Sequence, residues 1–158
     1  MEGLARDPEA IDRELSAWGT RPNPDGGYLQ SLDFRLTYSD CDPAGLVYFA
    51  AYYPWIERAV TEWWIGAGVD FGSMLERFGA FLVARSTSCE YLAAARPFDL
   101  VSARLRLGAI GRTSLTFAID IVRRTDSVLV ARGSYTLVSV DSSQRTIPVP
   151  DSIRRLFR

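Results

Sequence analysis

Histidine is absent from the 158 residues, and so is lysine: all 18 basic residues are arginine. Without histidine no Ser-His-Asp or Cys-His machinery can be assembled. Metal sites and acid–base dyads built on imidazole are excluded with it. Without lysine there is no Schiff-base chemistry and no P-loop. Cysteine occurs only as Cys41 and Cys89, too few for a disulfide framework or a four-thiolate zinc site. Two buried free thiols are the expectation. Charge of one sign is not in excess either, with 19 acidic residues against 18 basic and a formal net charge of -1. A nucleic-acid backbone or an anionic bilayer finds little to attract it. No apolar run approaches the roughly 18 residues of a membrane span, and no basic segment followed by an apolar one opens the chain. The expectation is a soluble, cytoplasmic protein with no cofactor and no metal. Asp, Glu, Cys, Tyr, Ser and Thr are left for acid–base or nucleophilic work.

What is present fits one domain of ordinary composition. Residues 1–27 differ from the rest and read as an extension. Asp7 to Trp18 predicts a short helix with Pro8 at its first position. Gly19 to Gly27, rich in Pro, Gly, Asn and Asp, predicts a linker. The domain proper spans 28–158. Tyr28 to Tyr38 alternates apolar and polar residues, as a half-buried strand does. Ser39 to Gly45 is turn chemistry. Val47 to Gly66 carries Tyr52, Ile56, Val60 and Trp63 at helical spacing, which predicts an amphipathic helix. Pro54 is tolerated there only near the helix start. A short helix over Asp70 to Phe78 and another over Ser152 to Leu156 are also expected. Four extended runs cover Ala80 to Leu92, Leu100 to Ala109, Ser114 to Arg124 and Ser127 to Val140. One long helix cannot cross over between five parallel strands. The sheet is therefore expected to be mostly antiparallel with the helix on one face, an α+β arrangement of the hot-dog kind.

The stretch Tyr38 to Ala59, YSDCDPAGLVYFAAYYPWIERA, resembles the signature of the 4-hydroxybenzoyl-CoA thioesterase family of hot-dog thioesterases. Asp40, Asp42, Gly45, Val47, Tyr48, Trp55 and Glu57 fall into that pattern. SCEYL at Ser88 to Leu92, FD at Phe98 to Asp99 and GRTSLTF at Gly111 to Phe117 are weaker matches. The resemblance covers about Asp33 to Pro150. It implies a five-stranded sheet wrapped around one helix and hydrolysis of an acyl-CoA, with an aromatic or medium-sized acyl group. It implies Asp42 as the catalytic carboxylate, the backbone N–H of Phe49 as the oxyanion donor, and a homodimer or homotetramer with sites at the interface. Gly45, Tyr48, Tyr52, Arg112 and Ser114 are its substrate-binding candidates, and Glu57 is the reserve carboxylate. Release of a polyketide or fatty acyl chain from an acyl carrier protein is the alternative within the same chemistry. A non-catalytic acyl-CoA-binding domain is the alternative outside it.

The residues themselves carry a physical argument. A carboxylate beside a tight glycine turn that enters a helix lies near unpaired backbone N–H groups and the positive end of the helix dipole. A thioester carbonyl docked there finds a donor for its oxygen. It also finds a carboxylate that attacks its carbon or deprotonates a water. Aspartate is equally a plain turn or helix cap. Cys41, between two aspartates, is expected to be a poor nucleophile because their charge raises its thiol pKa.

Overall fold

The computed structural model describes residues 27–158 and the backbone of Gly19–Arg21. The helix expected over Asp7–Trp18 lies outside them. Five long or medium strands form: β2 (Gln30–Arg35), β3 (Phe81–Tyr91), β4 (Leu100–Ile110), β5 (Ser114–Arg123) and β6 (Leu129–Val140). The stretch read as a linker differs at its start, where Gly19–Arg21 forms a short edge strand, β1, on β2. The sheet order is β1-β2-β4-β5-β6-β3, and each neighbouring pair is antiparallel.

Alternation decides which side chains meet the helix. Leu32 of β2 pairs with Ala103, which pairs with Ile121, which pairs with Ala131; all four are buried on one face. Leu105, Leu115, Phe117 and Ile119 line the same face. Helix α1 (Tyr52–Gly66) lies across it, burying Tyr52, Ile56, Ala59, Val60, Trp63 and Trp64. A curved antiparallel sheet around a single long helix is the hot-dog fold. Gln30 faces the helix among apolar neighbours, and its Nε2 donates to the Ala59 carbonyl at 2.9 Å, so that buried amide is satisfied. The opposite face of the sheet is polar. There Arg106 and Arg132 pair with the buried Asp120, and Arg124 pairs with Asp33.

The helix begins later than its apolar pattern suggests. Phe49–Ala51 is a 3-10 turn, and α1 starts at Tyr52. Pro54 therefore sits in the first α-helical turn, where its missing N–H is tolerated. Asp70 caps the next segment by accepting the Gly72 N–H at 2.9 Å. A 3-10 turn and α2 (Met74–Phe78) follow. Helix α3 (Asp151–Arg154) runs into a 3-10 turn that sets Phe157 against Trp63, ring centroids 4.6 Å apart.

The helix packs closely on the sheet at Gly133 of β6. A Cβ there falls inside contact distance of Ile56 Cδ1 and Cγ1. Gly133→Ala is expected to destabilise the domain by about 1–3 kcal/mol, the usual cost of overpacking a core. Chemical denaturation reads this as a lower midpoint at unchanged slope. An unchanged midpoint contradicts the close packing.

Candidate active site

The segment Asp42-Pro43-Ala44-Gly45 has the residue preferences of a tight turn, with Asp first, Pro second and Gly fourth. It folds as one. The Gly45 N–H donates to the Asp42 carbonyl at 2.9 Å, and the Asp42 N–H donates to the Leu46 carbonyl at 2.8 Å. Gly45 has φ +74, in the left-handed region that favours glycine. A bridge between Cys41 and Val47 closes the loop. The Tyr48 N–H then donates to the Asp40 carbonyl at 2.9 Å, fastening the turn to the start of the helical segment. Asp40 supports this arrangement from outside: its Oδ2 accepts from the Thr37 N–H at 2.7 Å and from the Thr37 hydroxyl at 2.9 Å.

Asp42 is half-buried. Its Oδ1 accepts the Ala44 N–H at 2.8 Å, so the capping role open from sequence is present. That role uses one oxygen. Among the described residues no hydrogen bond reaches Oδ2. Phe49 opens the 3-10 turn, and its N–H bonds to no described residue, as expected for the first donor of a helical segment.

Phe49 also lines a cleft of about 350 Å³, together with Leu46, Val47, Tyr52, Tyr91 and the loop Leu92–Ala95. The lining is mostly apolar, with the Tyr52 and Tyr91 hydroxyls as its polar side-chain groups. Asp42 does not line it, but the Leu46–Val47 arm of its own loop does. A larger cleft of about 500 Å³ lies between β2 and α1, lined by Phe34, Trp55, Arg58 and Asp40 among others. It contains neither Asp42 nor Phe49.

The other residues picked from sequence separate. Tyr52 is buried, lines the Phe49 cleft and has its pKa pushed up to about 12, chiefly by burial. Tyr48 is exposed and packs its ring on Phe49, centroids 4.6 Å apart, outside the cleft. Gly45 has a conformational role. Glu57 is exposed on α1 and accepts from the Thr61 hydroxyl at 2.5 Å. Arg112 and Ser114 lie at the other end of the sheet. Ser114 pairs with Val138, which pairs with Val83, eight residues along β3 from Tyr91. At strand rise that is about 26 Å. One chain cannot present Arg112 and Phe49 to the same part of a ligand.

Both cysteines are free and half-buried rather than fully buried. Burial is the first cause raising the Cys41 thiol pKa, ahead of Asp40, Asp42 and Asp99. Burial also pushes Cys89 up to about 11. Neither is a ready thiolate at neutral pH. Among the described residues no group of three or more Cys, Asp or Glu side chains is placed to hold a metal, and no helix is long and apolar enough to cross a membrane.

Tyr91 and Leu92 fall in the weak SCEYL match, which marks neither them nor the rest of the Leu92–Ala95 loop as site residues. The cleft arises where the end of β3 meets the start of α1, and no local pattern marks that meeting.

The profile of the thioesterase-like superfamily matches residues 36–157. The chain belongs to that superfamily. It is 32% identical over 125 residues to the acyl-CoA thioester hydrolase YbgC of Escherichia coli O157:H7, covering 78% of this chain and 92% of that one. Its fold is similar to that of 4-hydroxybenzoyl CoA thioesterase from Pseudomonas sp. strain CBS-3, with TM-score 0.71 and 24% identity over 80% of this chain and 96% of the other. A 1,4-dihydroxy-2-naphthoyl-CoA thioesterase from Synechocystis superposes with TM-score 0.73 at 17% identity, covering 84% and 96%. The superfamily match spans the Asp42 turn, the helix and β3 to β6.

Proposed function

We propose that this chain hydrolyses an acyl-CoA thioester to the free acid and CoA, with Asp42 as the catalytic carboxylate and the Phe49 N–H as the oxyanion donor. The observation that carries the reading is the Phe49 N–H, without a hydrogen-bond partner among the described residues, on the wall of an apolar cleft, four residues after a turn in which one Asp42 oxygen has no partner among them either. The thioester oxygen accepts from Phe49 as negative charge develops on it. On the water route Asp42 takes a proton from water and the hydroxide adds to the carbonyl carbon. The tetrahedral species then collapses, the C–S bond breaks and the thiolate leaves to be protonated. On the nucleophilic route an Asp42 oxygen attacks the carbonyl carbon, the C–S bond breaks and the CoA thiolate leaves to be protonated, and water then opens the mixed anhydride to the free acid and the regenerated Asp42 carboxylate. Neither route needs histidine, lysine, a cofactor or a metal. Tyr52 and the aromatic side of the cleft suit an aromatic or medium-sized acyl group. The relatives' names support a CoA ester as substrate.

The working unit in this reading is a homodimer joined through β3. Among the described residues that strand pairs with β6 alone, leaving the other edge of its eleven residues without a partner there, with Phe81, Val83 and Tyr91 exposed. Such an edge invites pairing. A two-fold partner pairs antiparallel, so the Phe81 end of one copy meets the Tyr91 end of the other. Arg112 of the partner subunit then lies toward the Phe49 end, which removes the along-strand offset of about 26 Å. Its guanidinium is available for a phosphate of CoA.

Two measurements test the reading. Free thiol release across a panel of acyl-CoA and acyl-carrier substrates is expected to show turnover with CoA esters. Binding without turnover across the panel contradicts hydrolysis. Arg112→Ala is expected to raise KM about tenfold for a CoA ester, the scale of one hydrogen bond to a charged group. KM for a short thioester lacking the nucleotide should stay unchanged. Equal effects on both remove the phosphate role.

A further inference from the structure

The Phe49 turn is poorly held by its own side chains. Phe49 is 59% exposed, and its ring contact is with Tyr48. Ala50 and Ala51, which follow, bring little packing of their own. Short 3-10 turns have weaker hydrogen-bond geometry than α-helix and change conformation readily. An oxyanion donor needs the opposite, because it works only when fixed about 2.7–3.1 Å from where the oxygen will be.

One contact from outside fixes it. Tyr91, the last residue of β3, points to the helix side of the sheet, since it pairs with the buried Ala131. Its hydroxyl donates to the Phe49 carbonyl at 2.9 Å across 42 residues of sequence. Its ring meets the edge of Tyr52, the first residue of α1, with centroids 5.2 Å apart and planes at 62°. The hydroxyl thus holds the 3-10 turn while the ring holds the helix it leads into.

We propose that Tyr91 is a positioning residue for hydrolysis: its hydroxyl anchors the Phe49 turn so that the Phe49 N–H is preorganised for the thioester oxygen. The inference rests on the oxyanion reading above and adds the group that makes that donor rigid. Tyr91 itself makes no bond to the reacting atoms. Its pKa is raised to about 12, first by desolvation, so the anchor keeps its proton through the neutral range.

Tyr91→Phe keeps the ring and removes only the hydroxyl. With an acyl-CoA substrate, kcat is expected to fall about tenfold, within the range for displacing a preorganised group. KM is expected to stay within about twofold, and the defect to be the same from roughly pH 6 to 9, since the lost group does not titrate there. A rise in KM at unchanged kcat overturns the proposal and leaves Tyr91 as cleft wall alone. The second measurement is the infrared carbonyl stretch of a bound acyl-CoA in Asp42→Asn protein, which is expected to hold substrate with little turnover. Binding is expected to lower the stretch, and adding Tyr91→Phe to cut that shift by about half as the donor loosens. A shift that Tyr91→Phe leaves intact refutes the positioning role while preserving Phe49 as donor. No shift in Asp42→Asn alone refutes the oxyanion reading, and the Tyr91 proposal with it.

Discussion

Asp42→Asn is expected to lower kcat for acyl-CoA hydrolysis by about 10²–10⁴-fold, the range for losing a positioned general base. Asparagine keeps an oxygen that accepts from Ala44 N–H, the bond that Asp42 Oδ1 makes at 2.8 Å. The turn, with Gly45 at φ +74, should therefore form as before. What asparagine lacks is a basic or nucleophilic oxygen at the Oδ2 position. The thermal midpoint should stay within about 3 °C of the parent, since the change in stability is small. Acyl-CoA should still bind, because the cleft wall of Leu46, Val47, Phe49, Tyr52 and Tyr91 is untouched. Near-normal turnover in a folded Asp42→Asn protein returns Asp42 to a turn cap. Glu57, exposed on α1 and bonded by Thr61, then becomes the carboxylate to test.

The second large effect is expected from the free edge of β3. Val83→Asp places a charge on an exposed apolar position of that edge. In a two-fold β3 pair this carboxylate lies in the seam between the two edge strands, and a charge on an edge strand opposes such pairing. Light scattering is expected to show the mass falling from a dimer to the 17.6 kDa chain. Activity toward CoA esters should fall with it, because Arg112 of the partner subunit leaves the cleft. The intrachain fold should survive, since β3 keeps its ladder to β6 and Val83 contributes little to the single-chain core. A monomeric variant with full activity contradicts the shared site. An unchanged mass places the interface elsewhere.

The parts of the fold legible in sequence are those set by local spacing. Tyr52, Ile56, Val60 and Trp63 recur with helical period, and all four are buried on α1. The strand runs alternate or are bounded by turn residues, and five strands form close to the expected limits. The Asp42 turn was legible because Asp, Pro and Gly each impose a local backbone preference.

What was not legible depends on partners distant in sequence. Gly19–Arg21 has no strand pattern of its own and forms a strand because β2 offers it a ladder. The helix start moved from Val47 to Tyr52 because the loop hydrogen bonds from Tyr48 to Asp40 hold the preceding residues in another conformation. Tyr91 reaches Phe49 only once the end of β3 is placed beside the start of α1. Arg112 was a candidate only through the family resemblance, and its weak GRTSLTF match gives no position relative to Phe49; sheet register puts eight residues of strand between them in one chain.

The resting place of the thioester carbonyl decides whether Phe49 and Asp42 act together, and a crystal structure with a non-hydrolysable acyl-CoA ketone tests this directly. The carbonyl oxygen is expected about 2.7–3.1 Å from the Phe49 nitrogen, with an Asp42 oxygen about 3–3.5 Å from the carbonyl carbon or one water away. A ketone bound in the cleft beside Trp55 and Arg58, or one that leaves the Phe49 N–H unbonded, contradicts that joint action.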